Sequence, residues 1–166
     1  RVLDAPEPRF AMLVTIREFA GEMLDGRAEA TEVRGRFRAW FLDLARSAAP
    51  ELAGSDQRAW LDRLELEHDN LRAAIDRAVA DGDGETAIGL AHALWRFWQK
   101  RGHLVEARRR LEAMAAAPWS YDPPALRARL MEALGGVCWW QGDIEAMQAP
   151  YGEAVALWRA VGNKRE

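Results

Sequence analysis

Apolar residues recur at helical spacing along most of the chain. In the segment 87–101, an ideal helix places seven apolar residues on one broad face that covers about half of its circumference. These residues are Ala87, Ile88, Leu90, Ala91, Leu94, Trp95 and Trp98. A face of this width is typical of a helix that packs on neighbours from two sides. Apolar stripes in the other segments complete the pattern and predict three helix pairs: 32–49 with 56–80, 85–101 with 104–117, and 124–140 with 143–161.

Short glycine turns join the helices of the second and third pairs. Gly102 and Gly142 lie forty residues apart, and each stands between two apolar helical segments. We expect Gly142 to take the left-handed conformation that ends a helix, and Asp143 to cap the helix that follows. The repeated helix–turn–helix unit predicts an all-α, right-handed helical solenoid. Pro150 lies inside the last predicted helix, where we expect a kink.

The first 26 residues do not follow this pattern. The apolar segment 9–13 predicts a short strand, and no other segment of the chain offers it a partner. The strand either joins a sheet outside this chain or is simply extended. Thr15 and Glu18 have the spacing of a capping box at the start of an amphipathic helix over 15–25. We therefore expect a strand and a helix within residues 1–26, and a helical repeat domain over residues 31–166.

Composition and charge exclude several classes of protein. Hydrophobic residues make up 49% of the 166 residues, and no apolar run is long enough to span a membrane, so neither disorder nor a membrane helix is expected. The formal net charge of −3 gives no sign of nucleic-acid binding, and the consecutive Arg108, Arg109 and Arg110 are expected to be solvated. A single cysteine and the lack of a signal peptide are typical of a cytoplasmic protein. Because the chain lacks an initiator methionine, we expect it to be part of a longer protein.

The sequence shows no catalytic or metal-binding pattern. It contains no phosphate-binding loop of the GxxxxGK[ST] type, so we expect no nucleotide binding within this chain. His68, His92 and His103 lack the spacing of metal ligands, and His68 lies on an apolar stripe that predicts a buried core histidine. His103 with Glu106 three residues later predicts a capping arrangement, and Cys138 is predicted to be a small buried apolar residue. We therefore predict no enzyme, no cofactor and no metal site.

The third predicted pair resembles a tetratricopeptide repeat. The resemblance rests on the segments 134–135 and 141–143, followed by Tyr151 and Ala154. That motif places small residues where paired helices approach closely, as we expect at Gly135. In the second pair, Trp95 occupies the position of the small residue, so the array is a divergent one.

A longer resemblance covers most of the chain. The segments 9–13 and 15–20 are similar to the end of the winged-helix segment in bacterial NB-ARC-type signalling ATPases. The segments 60–65 and 67–74 are similar to the first helical block that follows the winged helix in these proteins. The segments 94–98 and 101–104 are similar to the next helical block. These ATPases are large transcriptional regulators of the actinobacterial type, often with a LuxR-type helix-turn-helix domain.

This resemblance implies that residues 1–26 are the remnant of a winged-helix module and that residues 31–166 are a tetratricopeptide-like domain. It implies a non-catalytic, protein- or ligand-binding regulatory arm of a multidomain transcriptional regulator. One expected partner is the signalling ATPase module upstream in the full-length protein. The alternative is a structural oligomerisation module that forms a homodimer through the face around Trp158 and Val161. Direct nucleic-acid binding and membrane association are not expected.

The first helix of each pair in such an array usually lines the concave side, where peptides or ligands bind. By this register, the residues expected to contact a protein partner or a small effector are His92, Arg96, Gln99, Lys100, Arg129, Glu132, Trp139 and Trp140. Adjacent Trp139 and Trp140 cannot both face one core, so we expect one of them to be partly exposed. That side chain either anchors a partner or packs against a following repeat. Among the eight tryptophans of the chain, those expected to pack the stack are Trp40, Trp60, Trp95 and Trp98.

Overall fold

A computed structural model describes residues 2–3, 9–10, 12–119, 121 and 123–162. These residues form two short strands, Val2–Leu3 (β1) and Arg9–Phe10 (β2), followed by helices only. The helices are α1 Val14–Asp25, α2 Ala30–Glu51, α3 Gln57–Leu66, α4 His68–Ala80, α5 Gly84–Arg101, α6 Leu104–Ala116, α7 Pro124–Trp140 and α8 Ile144–Ala160. Within the described part of the chain, no helix combines the length and apolar character that a membrane span requires. The chain divides into two compact units, residues 1–36 and residues 37–166.

The first unit contains a strand pair that the sequence did not predict. β1 and β2 are antiparallel, with Val2 opposite Phe10 and Leu3 opposite Arg9. The expectation that the 9–13 strand has no partner in the chain was therefore wrong, because a two-residue strand is too short to show an alternating pattern. The strand also ends at Phe10, three residues earlier than predicted.

The helix predicted over 15–25 is present as α1, but it begins at Val14. Leu13 is its N-cap residue and makes no side-chain capping bond. Thr15 therefore lies inside the helix, and the predicted capping box is wrong. Apolar side chains of α1 are exposed at Ile16, Phe19 and Met23.

The second unit is built from helices that pack on their neighbours along the chain. α4 packs on α5, α5 packs on α6, α7 packs on both α5 and α6, and α8 packs on α7. One continuous apolar core runs through these helices, and its largest fully buried side chains include Trp98, Phe97, Leu71, Leu94 and Leu130. The predicted second and third pairs therefore correspond to α5 with α6 and to α7 with α8.

The predicted helix over 56–80 is interrupted. α3 ends at Leu66 and α4 begins at His68, with Glu67 between them at φ −97° and ψ 3°. That ψ lies far from the roughly −42° of a regular helix, so the axis changes direction at one residue. The backbone hydrogen bonds continue across the break, from the Glu67 N–H to the Arg63 carbonyl and from the Leu71 N–H to the Glu67 carbonyl. Apolar periodicity alone therefore could not reveal it.

The glycine turns have the predicted conformation. Gly102 and Gly142 have φ of 84° and 77°. After Gly142, the Asp143 N–H donates to the Cys138 carbonyl at 3.0 Å, and the Asp143 carboxylate accepts from the Ala146 N–H, also at 3.0 Å. Both predictions at this turn are confirmed. α8 continues through Pro150, and the kink expected there stays a prediction.

Gly135 allows α7 and α8 to approach closely, as the sequence predicted. A methyl group on Gly135 would lie 2.7 Å from a ring carbon of Tyr151. A methyl group on Gly136 would lie 3.1 Å from the ring of Trp95. The absence of a side chain at Gly136 therefore makes room for Trp95, the large residue of the second pair. Each glycine on α7 therefore receives an aromatic ring from a different neighbouring helix.

We predict opposite effects on stability for two helical glycines. Gly135→Ala should lower the free energy of unfolding by about 1–2 kcal/mol, because the clash with Tyr151 outweighs the gain in helix propensity. Gly152→Ala, on α8 with no atom within 4 Å of the new methyl group, should raise it by about 0.5–1 kcal/mol. Urea denaturation followed by circular dichroism measures both changes. Stabilisation by both substitutions would contradict the close packing at Gly135.

Candidate functional site

The predicted binding residues are brought together in part, where α5 packs on α7. His92 Nε2 lies 3.5 Å from Glu132 Oε2, and each of these side chains is about one-third exposed. The interaction with His92 lowers the pKa of Glu132 against the opposing effect of burial, with further lowering from the Trp158 indole and the positive charge of Arg96. Three of the eight predicted residues therefore act on one another: His92, Arg96 and Glu132.

Aromatic rings surround this group, which we call the His92–Glu132 site. The Arg96 guanidinium lies 4.6 Å from the centre of the Trp95 ring, within the range of a cation–π contact. Tyr151 is partly buried, and both burial and the negative charge of Glu132 raise the pKa of its hydroxyl. Aromatic and apolar walls around a few polar groups are typical of ligand-binding sites.

Three buried polar atoms of the site lack a hydrogen bond of normal geometry within the described residues. They are Nε2 of His92, Oε2 of Glu132 and Nε1 of Trp158. Buried polar groups in proteins nearly always have partners, and leaving one unsatisfied costs about 1–3 kcal/mol. Two of these atoms, His92 Nε2 and Glu132 Oε2, face each other at 3.5 Å, so their unmet hydrogen-bonding capacity lies within the pair itself.

The other predicted residues lie on the protein surface outside this group. Lys100 and Arg129 are exposed, and Gln99 is partly buried. Trp139 and Trp140, at the end of α7, are 51% and 54% exposed. The prediction that one of these two tryptophans is partly exposed therefore applies to both.

A second group, which sequence analysis did not find, joins Glu65, His68 and His103. His103 Nε2 lies 3.3 Å from Glu65 Oε2, and the rings of His68 and His103 are 4.2 Å apart between centres. Burial is the largest cause that lowers the pKa of His68, followed by the charges of Arg72 and His103. The prediction that His68 is buried is confirmed, since it is 5% exposed. The capping role predicted for His103 is wrong, because its side chain makes no capping bond.

A sequence signal for this group was present but incomplete. Glu65 and His68 are three residues apart, a spacing that brings two ligands together on a helix. His103 comes from the turn before α6, and only the packing of α3, α4 and α5 brings it to the same place.

Glu106 binds two arginines instead of supporting His103. It accepts hydrogen bonds at 2.8 Å from Nε of Arg72 on α4 and from Nε of Arg110 on its own helix. Burial alone would raise the pKa of Glu106, but these two bonds outweigh it and lower the pKa to about 2. All three side chains line a cleft of about 610 Å³.

The prediction that Arg108, Arg109 and Arg110 are solvated is wrong for Arg108 and Arg110. Arg110 pairs with Asp76 as well as with Glu106, and its side chain is only 11% exposed. Arg108 donates to Asp143 at 2.8 Å and so joins α6 to the turn before α8. Arg109 is exposed as predicted.

Comparison with known proteins gives a partial match. Neither a family model nor a solved structure matches the chain. Over 98 residues, 59% of the chain, it is 37% identical to a protein of Mycobacterium bovis named as an HTH-type transcriptional regulator. Proteins from two strains of Mycobacterium tuberculosis with the same description match at the same identity and coverage. The chain spans 11% of the length of each of these relatives, and it is similar to that part of an HTH-type transcriptional regulator.

Proposed function

We propose that this chain is a non-catalytic regulatory arm of a larger transcriptional regulator. The observation that carries the proposal is the 37% identity over 98 residues to proteins named as HTH-type transcriptional regulators. The chain spans 11% of the length of those proteins, and we propose that the other modules of the regulator lie outside it. A signalling ATPase module upstream in the full-length protein is part of this proposal.

The proposed architecture is a tetratricopeptide-like stack. The order of helix contacts supports this architecture. α5 and α7, which are the first helices of the last two pairs, pack on each other, and α6 packs on α7. The close approach at Gly135 and the shared turn geometry at Gly102 and Gly142 add to this support. In such a stack, successive first helices share one surface, which is where a partner or effector binds.

We place the binding surface at the His92–Glu132 site and the neighbouring Trp139. The site combines an exposed cation held over an aromatic ring with a partly exposed histidine–carboxylate pair. Trp139 offers an exposed aromatic side chain at the end of α7, and tryptophan and arginine are frequent anchors of interfaces. A protein segment or small effector with an anionic group and hydrogen-bonding atoms fits this chemistry.

We predict that this surface is required for partner binding. Full-length regulator carrying Arg96→Ala should bind its co-purifying partner at least about tenfold more weakly in calorimetry, since charge-assisted contacts in an interface contribute at least about 1.4 kcal/mol. Trp139→Ala should weaken binding to a similar degree. Arg109→Ala removes an exposed arginine of α6, outside the site, and should leave the affinity unchanged. Equal affinities for Arg96→Ala, Trp139→Ala and the unaltered protein would overturn the proposed surface.

The second candidate is an oligomerisation module, favoured by the exposure of both Trp139 and Trp140. Of the two residues expected at the centre of the dimer face, Trp158 is 7% exposed and Val161 is 42% exposed. The end of α7 offers a larger exposed aromatic surface for a dimer. Light scattering at several protein concentrations distinguishes the two candidates, since a dimer that Trp140→Ala dissociates would support assembly.

A further inference from the structure

Glu65, His68 and His103 place three metal-ligating atoms in one small volume. All three donor atoms lie within 4.8 Å of one another. The residues come from three places in the fold: the last turn of α3, the first residue of α4 and the turn that precedes α6. A bound ion would therefore join segments that are up to 38 residues apart in sequence.

His68 provides a second, independent observation. Its side chain is buried, with the residue 5% exposed, and its Nε2 has no hydrogen-bond partner among the described residues. The edge-on ring of Phe97, 5.1 Å away between centres, covers another side of the imidazole and offers it no hydrogen bond. An isolated core histidine would satisfy this nitrogen with a backbone or side-chain group, whereas a ligand of a metal ion would leave it free.

We propose that Glu65, His68 and His103 bind a divalent transition-metal ion of the zinc type. Two imidazoles and one carboxylate are a common protein ligand set for Zn²⁺, with a fourth position for water or a solute ligand. Ca²⁺ and Mg²⁺ prefer sites made of oxygen atoms and fit this set poorly. Two donors at about 2.1 Å from one ion are at most about 4.2 Å apart, so small side-chain rotations complete the site.

The function of the ion would be to hold the helix break at Glu67 against the turn at His103. α3 and α4 contribute one ligand each from the two sides of that break, and the third comes from the turn between α5 and α6. Binding to the folded state only would stabilise the fold in proportion to the free metal concentration. This inference is independent of the proposed regulatory surface, which lies on α5 and α7.

Calorimetric titration of the metal-free 166-residue chain with ZnCl₂ tests the proposal. We expect one Zn²⁺ per chain and no binding of CaCl₂. His103→Gln and Glu65→Gln should each weaken Zn²⁺ binding at least about tenfold, as loss of a ligand costs at least as much as loss of a supporting residue. His92→Gln removes another partly exposed histidine that faces a carboxylate, and this variant should bind Zn²⁺ as the unaltered chain does.

Thermal unfolding supplies a second measurement. Added Zn²⁺ should raise the midpoint temperature of the unaltered chain and of His92→Gln, but not that of His103→Gln. Glu65→Gln keeps the test valid if His103→Gln fails to fold, because the Glu65 side chain is 42% exposed. Absence of saturable one-to-one binding by the unaltered chain would overturn the proposal. So would equal affinities for His103→Gln, Glu65→Gln and His92→Gln, or a loss confined to His92→Gln.

Discussion

Replacement of Trp98 by alanine is expected to lower the free energy of unfolding by about 3–5 kcal/mol. Trp98 is 1% exposed and is the largest of the fully buried side chains. It belongs to the core that α2 to α8 share, so the cavity left by its removal would be lined by several helices that cannot all move inward. The loss is therefore the transfer free energy of the indole together with the cost of the cavity.

Urea denaturation followed by far-ultraviolet circular dichroism measures this change, with Trp140→Ala as the matched control. Trp140 is 54% exposed, and its removal should cost no more than about 1 kcal/mol. Trp98→Phe should cost less than half as much as Trp98→Ala, because the buried Nε1 of Trp98 has no hydrogen-bond partner among the described residues. Similar losses for Trp98→Ala and Trp140→Ala would show that the packing of α5 differs from the structure.

The parts of the fold that sequence could predict are those set by local chemistry. The broad apolar face of 87–101 predicted a helix buried on two sides, and α5 is that helix, in contact with α4, α6 and α7. Gly142 and Asp143 were predictable because a left-handed residue and an N-cap are requirements of the turn itself. All-helical structure in residues 37–162 follows from such signals, apart from the positions that the structure does not describe.

The predictions that were wrong concern residues whose surroundings are formed by segments distant in sequence. Trp40 was expected to pack the stack, but it is 52% exposed, since the apolar face of a helix does not specify how far its neighbours extend. Arg110 was expected to be solvated because its partner Asp76 is 34 residues away. The break at Glu67 leaves the backbone hydrogen bonds on both sides in place, so it carries no local signal.

Of the two candidate sites, the sequence predicted part of one and missed the other. The repeat register selected His92, Arg96 and Glu132, since residues on successive first helices face the same side. It could not separate these interacting residues from Lys100 and Arg129, which share the register and, like Arg96, are exposed. The Glu65, His68 and His103 group was missed because two of its members follow local spacing and the third is supplied by the fold.

Substitution of Glu106 by glutamine is expected to lower the free energy of unfolding by about 2 kcal/mol at pH 7. The carboxylate accepts hydrogen bonds from Arg72 and Arg110, and its side chain is 18% exposed. Glutamine removes the negative charge that the nearly buried Arg110 guanidinium requires, leaving that arginine with Asp76 alone. A buried ion pair that loses one partner is strongly destabilised, because the remaining charge stays desolvated.

The contribution of Glu106 to the free energy of unfolding should decrease as the pH falls. Hydrogen bonds from the two arginines lower the pKa of Glu106 from 4.5 to about 2 against the opposing effect of burial, so the folded state favours the ionised carboxylate. A lowered pKa contributes stability that is fully present above about pH 4.5 and is lost as the pH falls toward 2. The difference in unfolding free energy between the unaltered chain and Glu106→Gln should therefore shrink across this range.

Glu145→Gln, a substitution at an exposed position on α8, should change the free energy of unfolding by no more than about 0.5 kcal/mol at pH 7. A difference for Glu106→Gln that stays constant from pH 7 to pH 3 would mean that the arginine pairs do not form in solution, because only ionised Glu106 can provide that part of the stability.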